Sequence, residues 1–224
     1  RRLTEMSRGL GRQLGIMVDR RGRVNHVIVG DAHQLFIPDL GRHRAGSGRF
    51  RGLRLIHTHL RGEGLSRDDL TDLSLLRLDA IMVVQAQVDG LPGFVEVGTI
   101  RADAAAGDTE PWAVERRSSV DAWDGNFVAF IDELERAISS QTATQRIPGM
   151  EGAIVIGVST SRTDEATDSL DELERLADTA GLQVLDRVLQ RRRKPDHKFV
   201  IGKGKLQEVL VRAMQLEAEV LIFD

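Results

Sequence analysis

Ala153-Ile154-Val155-Ile156-Gly157-Val158 is an uninterrupted apolar run, of the length and composition of a strand buried on both faces rather than on one. The residues after it decide how such a strand is paired. Ser169-Leu170-Asp171-Glu172 opens a helix with a serine N-cap and an acidic first turn, and Gly181 ends it. Leu182 to Leu189 reads as a second strand, Leu206 to Glu217 as a second helix and Val220-Leu221-Ile222-Phe223 as a third strand. This alternation predicts α/β architecture, with a parallel β-α-β-α-β sheet and right-handed crossovers over residues 151–224. The run ends at Asp224, on its last strand, where a doubly wound sheet would continue into a helix, so the unit is expected to be truncated.

Upstream, residues 111–150 read as a linker. Phe127, Phe130, Ile131, Leu134 and Ile138 recur at intervals of three and four, which predicts one long amphipathic helix over Asp121 to Ser139. The polar tract Ser139 to Gly149 reads as a flexible link, and the small, polar stretch Ala102 to Asp108 marks a boundary before it. Residues 1–110 form a first, mixed α/β unit: a polar helix (Leu3 to Arg12), strands at Leu14–Val18 and Val24–Val29 around the turn Asp19-Arg20-Arg21-Gly22, and a third strand at Asp31–Pro38. Next come a strand at Leu53–His59, a leucine-spaced helix at Asp68–Leu78, and strands at Ala80–Gln87 and Phe94–Ile100.

With 224 residues, of which 41% are hydrophobic and 29% charged, the chain can bury two cores and is neither fibrous nor disordered. No apolar run is long enough to span a bilayer, and the arginine-rich start lacks the apolar segment of a secretory signal. Cysteine is absent, which excludes thiolate metal sites and disulfides and fits a cytoplasmic protein.

The charge is unevenly laid out. The net value is −3, yet the segment from Arg191 to Lys205 holds seven Lys or Arg against one Asp, a local charge of +6, and contains all four lysines of the chain. Arg191, Arg192, Arg193, Lys194, Lys198, Gly202, Lys203, Gly204 and Lys205 are the candidate residues for binding phosphate of a nucleotide or of RNA. A glycine turn opening onto a helix aims backbone N–H groups and flexible ammonium groups outward. A solvated loop is the plainer reading of the same charge run.

Residues Val184-Leu185-Asp186-Arg187-Val188-Leu189-Gln190-Arg191-Arg192-Arg193-Lys194-Pro195-Asp196, Val200-Ile201-Gly202-Lys203-Gly204-Lys205-Leu206-Gln207-Glu208-Val209 and Val220-Leu221-Ile222-Phe223-Asp224 resemble the amino-terminal domain of the HflX family of ribosome-associated GTPases. Arg20-Arg21-Gly22-Arg23-Val24, Val29-Gly30-Asp31-Ala32 and Ile37-Pro38-Asp39-Leu40-Gly41 resemble the extension that longer members carry. The resemblance implies a complete protein that continues into a G domain using GTP and Mg²⁺, binds the large ribosomal subunit and splits stalled or idle ribosomes. It also implies ATP and ribosomal RNA contacts for the domain at 151–224. Gly202 to Lys205 is not a Walker A loop: Leu206 stands where a Mg²⁺-binding hydroxyl is needed, and the glycine spacing differs. No catalytic residue for GTP hydrolysis is therefore assigned in these residues.

A second constellation belongs to a different class. His57-Thr58-His59 puts two imidazoles on one strand face, and Ser66-Arg67-Asp68-Asp69 opens a helix. Together they resemble the zinc motif of JAMM (MPN) isopeptidases, which implies His57, His59 and Asp69 as Zn²⁺ ligands and Ser66 as the hydroxyl beside the catalytic water. Leu60 replaces the proline of that pattern, the interval from His59 to Ser66 is one residue short, and Arg12 or Gln13 falls where the catalytic glutamate is expected. A capping pair of Ser66 with Asp69, beside surface histidines on an edge strand, is the alternative reading. The rival function is thus a zinc metallohydrolase or an inactive metal-binding relative.

Overall fold

The computed structural model describes residues 1–41, 49–103, 111–120, 125–145, 147–159, 163–191 and 201–224. It is mixed α/β, and its contacts divide it into two compact units, one of Arg1–Ala104 with Glu110–Glu135 and the other made chiefly of Arg136–Asp224.

The first unit runs α1 (Arg2–Leu10), β1 (Leu14–Asp19), β2 (Val24–Val29), β3 (Leu53–His59), α2 (Arg67–Leu75), β4 (Ala80–Ala86), β5 (Pro92–Ile100) and β6 (Trp112–Arg117). Its six strands lie in the order β2-β1-β3-β4-β5-β6. Only β3 and β4, the pair joined through α2, are parallel. The β1–β2 hairpin turns where Asp19 Oδ1 accepts the N–H groups of Arg21 and Arg23, and Gly22 takes a φ of 82°. Register puts His57, Val83 and Glu96 side by side on one face, with Leu55, Ile81 and Gly98 in the adjoining row. That face is covered by α2: a Cβ on Gly98 would lie 2.8 Å from Leu70 Cδ2. The opposite face packs Ile56, Met82, Val84, Val95 and Val97 against Phe127. On that face Thr58 Oγ1 meets Ser7 Oγ of α1 at 2.7 Å and accepts Leu14 N–H at 3.0 Å.

Three expectations for this part change. Asp31–Pro38 forms no strand, because Asp31 Oδ1 accepts the N–H groups of His33 and Gln34 at 2.7 and 2.9 Å and bends the chain into a turn. Trp112–Arg117 adds the strand β6 in what reads as linker sequence, tied down by Trp112 Nε1 donating to Ser74 Oγ at 2.7 Å. The helix α3 spans Phe127–Gln145, so it continues into the Ser139 to Gly149 tract expected to be a flexible link.

The second unit contains β7 (Glu151–Ser159), α4 (Thr163–Thr179), β8 (Leu182–Arg191), α5 (Lys203–Leu216) and β9 (Val220–Phe223). Its sheet is parallel throughout in the order β8-β7-β9, as the alternation predicts. The apolar run is its central strand, with Ala153, Ile154, Val155 and Ile156 all fully buried. Ile154 and Ile156 pack with Val209 and Leu216 of α5, while Val155 packs with Leu170 and Ala177 of α4, so the two helices cover opposite faces. Two helix starts differ from the sequence reading. Ser169 lies inside α4, which begins at Thr163, and its hydroxyl donates to Asp224 instead of capping. The helix α5 begins at Lys203, so Lys203-Gly204-Lys205 is its first turn and not a loop before it.

Candidate functional site

Strand alternation and helix capping assemble the histidine cluster. β3 directs His57 and His59 to the same face, under α2, and both are buried at 0% and 4% exposure. They are therefore not edge-strand surface residues: β3 lies inside the sheet between β1 and β4. Ser66 caps α2 by accepting Asp69 N–H at 3.1 Å, while Asp69 Oδ2 accepts the Ser66 N–H and Oγ–H, each at 2.7 Å. This reciprocal box fixes Asp69 at the first turn, facing the histidines.

The ligand atoms converge. His57 Nε2 lies 3.1 Å from His59 Nε2 and 3.3 Å from Asp69 Oδ1, and His59 Nε2 lies 3.7 Å from Asp69 Oδ2. Metal bonds of about 2.0–2.1 Å at tetrahedral angles put ligand atoms roughly 3.3 Å apart, which is the spacing found. His57, His59 and Asp69 form a group whose ligand atoms all lie within 4.8 Å of one another. Burial and the neighbouring His57 hold the His59 imidazole below its ordinary pKa, hence neutral and able to ligate. Burial pushes the Asp69 carboxyl up, but His57 and the Ser66 hydrogen bonds outweigh it and bring it down to about 2.

Two residues beside this group carry chemistry that spacing alone does not reveal. Gln13 stands two residues before Gly15, which is paired with His57, so the same register continued sets Gln13 opposite His59. It is 1% exposed, and its amide nitrogen has no hydrogen-bond partner among the described residues. Glu63 accepts His59 Nδ1–H on its carbonyl at 3.3 Å, and its buried Oε2 likewise lacks a partner there. The signal for Glu63 in the sequence is slight: one acid between Gly62 and Gly64, four residues after a His-x-His.

The basic segment is only partly described. Arg192, Arg193, Lys194 and Lys198 lie outside the described residues. Arg191 ends β8, exposed. Gly202 precedes α5 and its N–H is not free for a ligand, since it donates to Gln190 Oε1 at 2.8 Å. Gly204 is exposed, Lys203 opens the helix, and Lys205 Nζ pairs with Glu208 Oε2 at 2.9 Å. The described part, Gly202 to Lys205, is thus a helix N-terminus with its first N–H already engaged.

Known proteins match this second unit. Residues 167–224 match the family described as GTP-binding GTPase N-terminal. The chain is 39% identical over 74 residues to GTPase HflX of Lacrimispora saccharolytica, and 37% identical over 76 residues to GTPase HflX of Alkalihalophilus pseudofirmus. The GTPase HflX of Flavobacterium psychrophilum is 33% identical over 76 residues. These alignments cover 33–34% of this chain and 18% of each relative. About a third of the chain is therefore similar to HflX GTPases, over a small part of their length. No helix among the described residues is long and apolar enough to cross a membrane.

Proposed function

We propose that the chain is an amino-terminal part of an HflX-like GTPase that acts on the large ribosomal subunit and splits stalled or idle ribosomes. In this reading, GTP hydrolysis with its Mg²⁺ belongs to a G domain outside these residues. The unit around β7 supplies contacts to ribosomal RNA or to nucleotide phosphate, ATP included. The observation that carries this is the match of residues 167–224, which includes the cluster of all four lysines. Lysine and arginine side chains that neutralise phosphates release counterions, so affinity falls steeply with salt. The test is ribosome binding across a salt series by the wild type and by a variant with Lys194, Lys198, Lys203 and Lys205 all replaced by alanine. Each lost contact should remove roughly one unit from the log–log salt slope. Affinity and slope unchanged in the variant would reduce the segment to a helix entrance.

A second reading is favoured by the convergence of His57, His59 and Asp69: the first unit holds a divalent metal, with zinc the best match to two imidazoles and a carboxylate. A bound zinc would supply Lewis acidity and a water made more acidic at its open position. Asp69 is oriented for this by Ser66, and the imidazoles by burial and by the Glu63 carbonyl. Gln13 is a carboxamide and takes up no proton, so the residues support metal binding better than peptide hydrolysis. Purified chain should carry near-stoichiometric zinc that His57→Ala removes. Elemental analysis finding no zinc, with no change in melting on its addition, would retire this reading.

A further inference from the structure

The two edges of the first sheet are guarded differently. A strand edge offers unpaired N–H and C=O groups to any strand that meets it, and proteins block such edges with charged side chains, prolines or bulges. At one edge, β6 carries Glu115, Arg116 and Arg117, all exposed. At the other, β2 reads Val24-Asn25-His26-Val27-Ile28-Val29, without lysine, arginine, acid or proline. No described strand pairs with its outer side. A bulge at Asn25 interrupts its register on β1, but His26 to Val29 pair regularly. The side chains add to the exposure of the backbone. Val24, Val27 and Val29 pair with Val18, Ile16 and Leu14, so they share one face, the one turned away from His57. They are 54%, 72% and 53% exposed. A row of exposed valines on an open edge is a template for another strand.

Charge indicates which strand. The charged residues that flank this stretch are Arg23 before it and Asp31 after it, of opposite sign. An antiparallel second copy brings the Arg23 end of each strand to the Asp31 end of the other, whereas a parallel copy sets like against like. Arg12 also reaches the Asp31 end, donating to the Gly30 carbonyl at 3.3 Å, so the charges select the direction and the valines supply most of the affinity. We propose that β2 pairs antiparallel with β2 of a second copy of this chain, about a two-fold axis at Val27, joining two six-stranded sheets into one. Such a contact is isologous and closes on itself. Val27 lies beside its own counterpart, and the valines of both copies form one apolar strip. The inference rests on neither functional reading above. One strand supplies far fewer than the roughly 20–30 residues a side of a stable interface, so the dimer is weak, with a Kd of about a micromolar or above.

The experiment uses the full chain. Sedimentation of wild type over a concentration series should show a reversible monomer–dimer equilibrium, and Val27→Lys should remain monomeric throughout. Its melting temperature at low concentration should match wild type, since Val27 is mostly exposed. Arg23→Glu should weaken the dimer several-fold, and the loss should shrink in high salt. The register is read by cross-linking, because the chain has no cysteine of its own. Directly opposed residues of antiparallel strands have Cα atoms about 4.5–5.5 Å apart, within reach of a disulfide. Under mild oxidant Val27→Cys should therefore form a covalent dimer many times faster than Val29→Cys, whose two copies would lie roughly 10 Å or more apart along the strands. Wild type that stays monomeric up to millimolar concentration would overturn the proposal and leave this edge to a strand of another protein. A dimer that survives Val27→Lys would place the contact elsewhere and overturn it too. Equal cross-linking of the two cysteine variants would overturn the register about Val27. Should Val27→Lys not fold, the pair of cysteine variants decides.

Discussion

Arg20 shows how much a single side chain can hold. Its guanidinium donates to Asp79 at 2.7 and 3.2 Å and to Glu135 at 2.6 Å, joining the β1–β2 turn to the start of β4 and to α3. Asp79 is 1% exposed and also accepts Gly52 N–H at 2.9 Å; burial pushes its carboxyl up while Arg20 pulls it back. Arg20→Met should therefore destabilise the chain by about 3–5 kcal/mol, the cost of stranding a buried charge, read as a lower midpoint in urea. Asp72 behaves differently. Burial and the like charges of Asp69 and Asp68 push its carboxyl up to about 6. With the folded value above the unfolded one, its contribution is fully present below about pH 4 and is lost as pH rises through 6. In chelator, Asp72→Asn should melt a few degrees above wild type at pH 8 and level with it at pH 4; the same shift at both would refute the titration. The Ser66–Asp69 box was legible because its partners are three residues apart. Arg20 and Asp79 are 59 residues apart, and nothing in either neighbourhood announces the other.

At the level of elements, hydrophobic pattern carried most of the fold. The apolar run Ala153 to Val158 within β7 and the helical spacing of α4 and α5 give the second sheet, and alternation gives β3 its histidine face. Starts and stops were harder. Gly-Lys-Gly-Lys reads as a turn because glycine is a poor helix former, yet nothing lies within 4 Å of a Cβ built on Gly204, so the helix tolerates it. The turn after β2 hinges on contact invisible in sequence: a Cβ on Gly30 would fall 2.1 Å from the Gln34 carbonyl oxygen. Gly30→Ala should displace residues 31–38, including Leu35, which packs over Gly15 beside His57. We expect earlier proteolysis at 31–38 and weaker zinc retention; unchanged values for both would show the turn to be independent of the site. For α5, releasing Lys205 by Glu208→Gln should raise affinity for RNA several-fold at low salt and little at high salt, if the helix entrance meets phosphate. An equal effect at all salt concentrations would speak against it.

For the whole chain, the matched similarity to HflX GTPases covers about a third of its length, while the histidine cluster lies in the other unit. Purified chain should release no phosphate from GTP above a no-protein control, because no Walker A loop occurs in its sequence; turnover that survives repurification would contradict this. The HflX likeness was legible from residues near one another in sequence. His57, His59 and Asp69 were legible from their spacing, whereas the contact of the Glu63 carbonyl with His59 Nδ1 comes from loop placement that the sequence does not announce.

The order of the second sheet has a consequence for synthesis. β7 is the first of its strands to be made but occupies the centre, with β8 on one side and β9, the last made, on the other. On a growing chain the edge of β7 that receives β9 stays bare while α4, β8 and α5 emerge, and until α5 follows it the face bearing Ile154 and Ile156 stays uncovered. Such a strand is a ready template for a neighbouring nascent chain. Synonymous codons that slow translation between β7 and β9 should therefore increase aggregation, although the finished protein would be identical in sequence and stability.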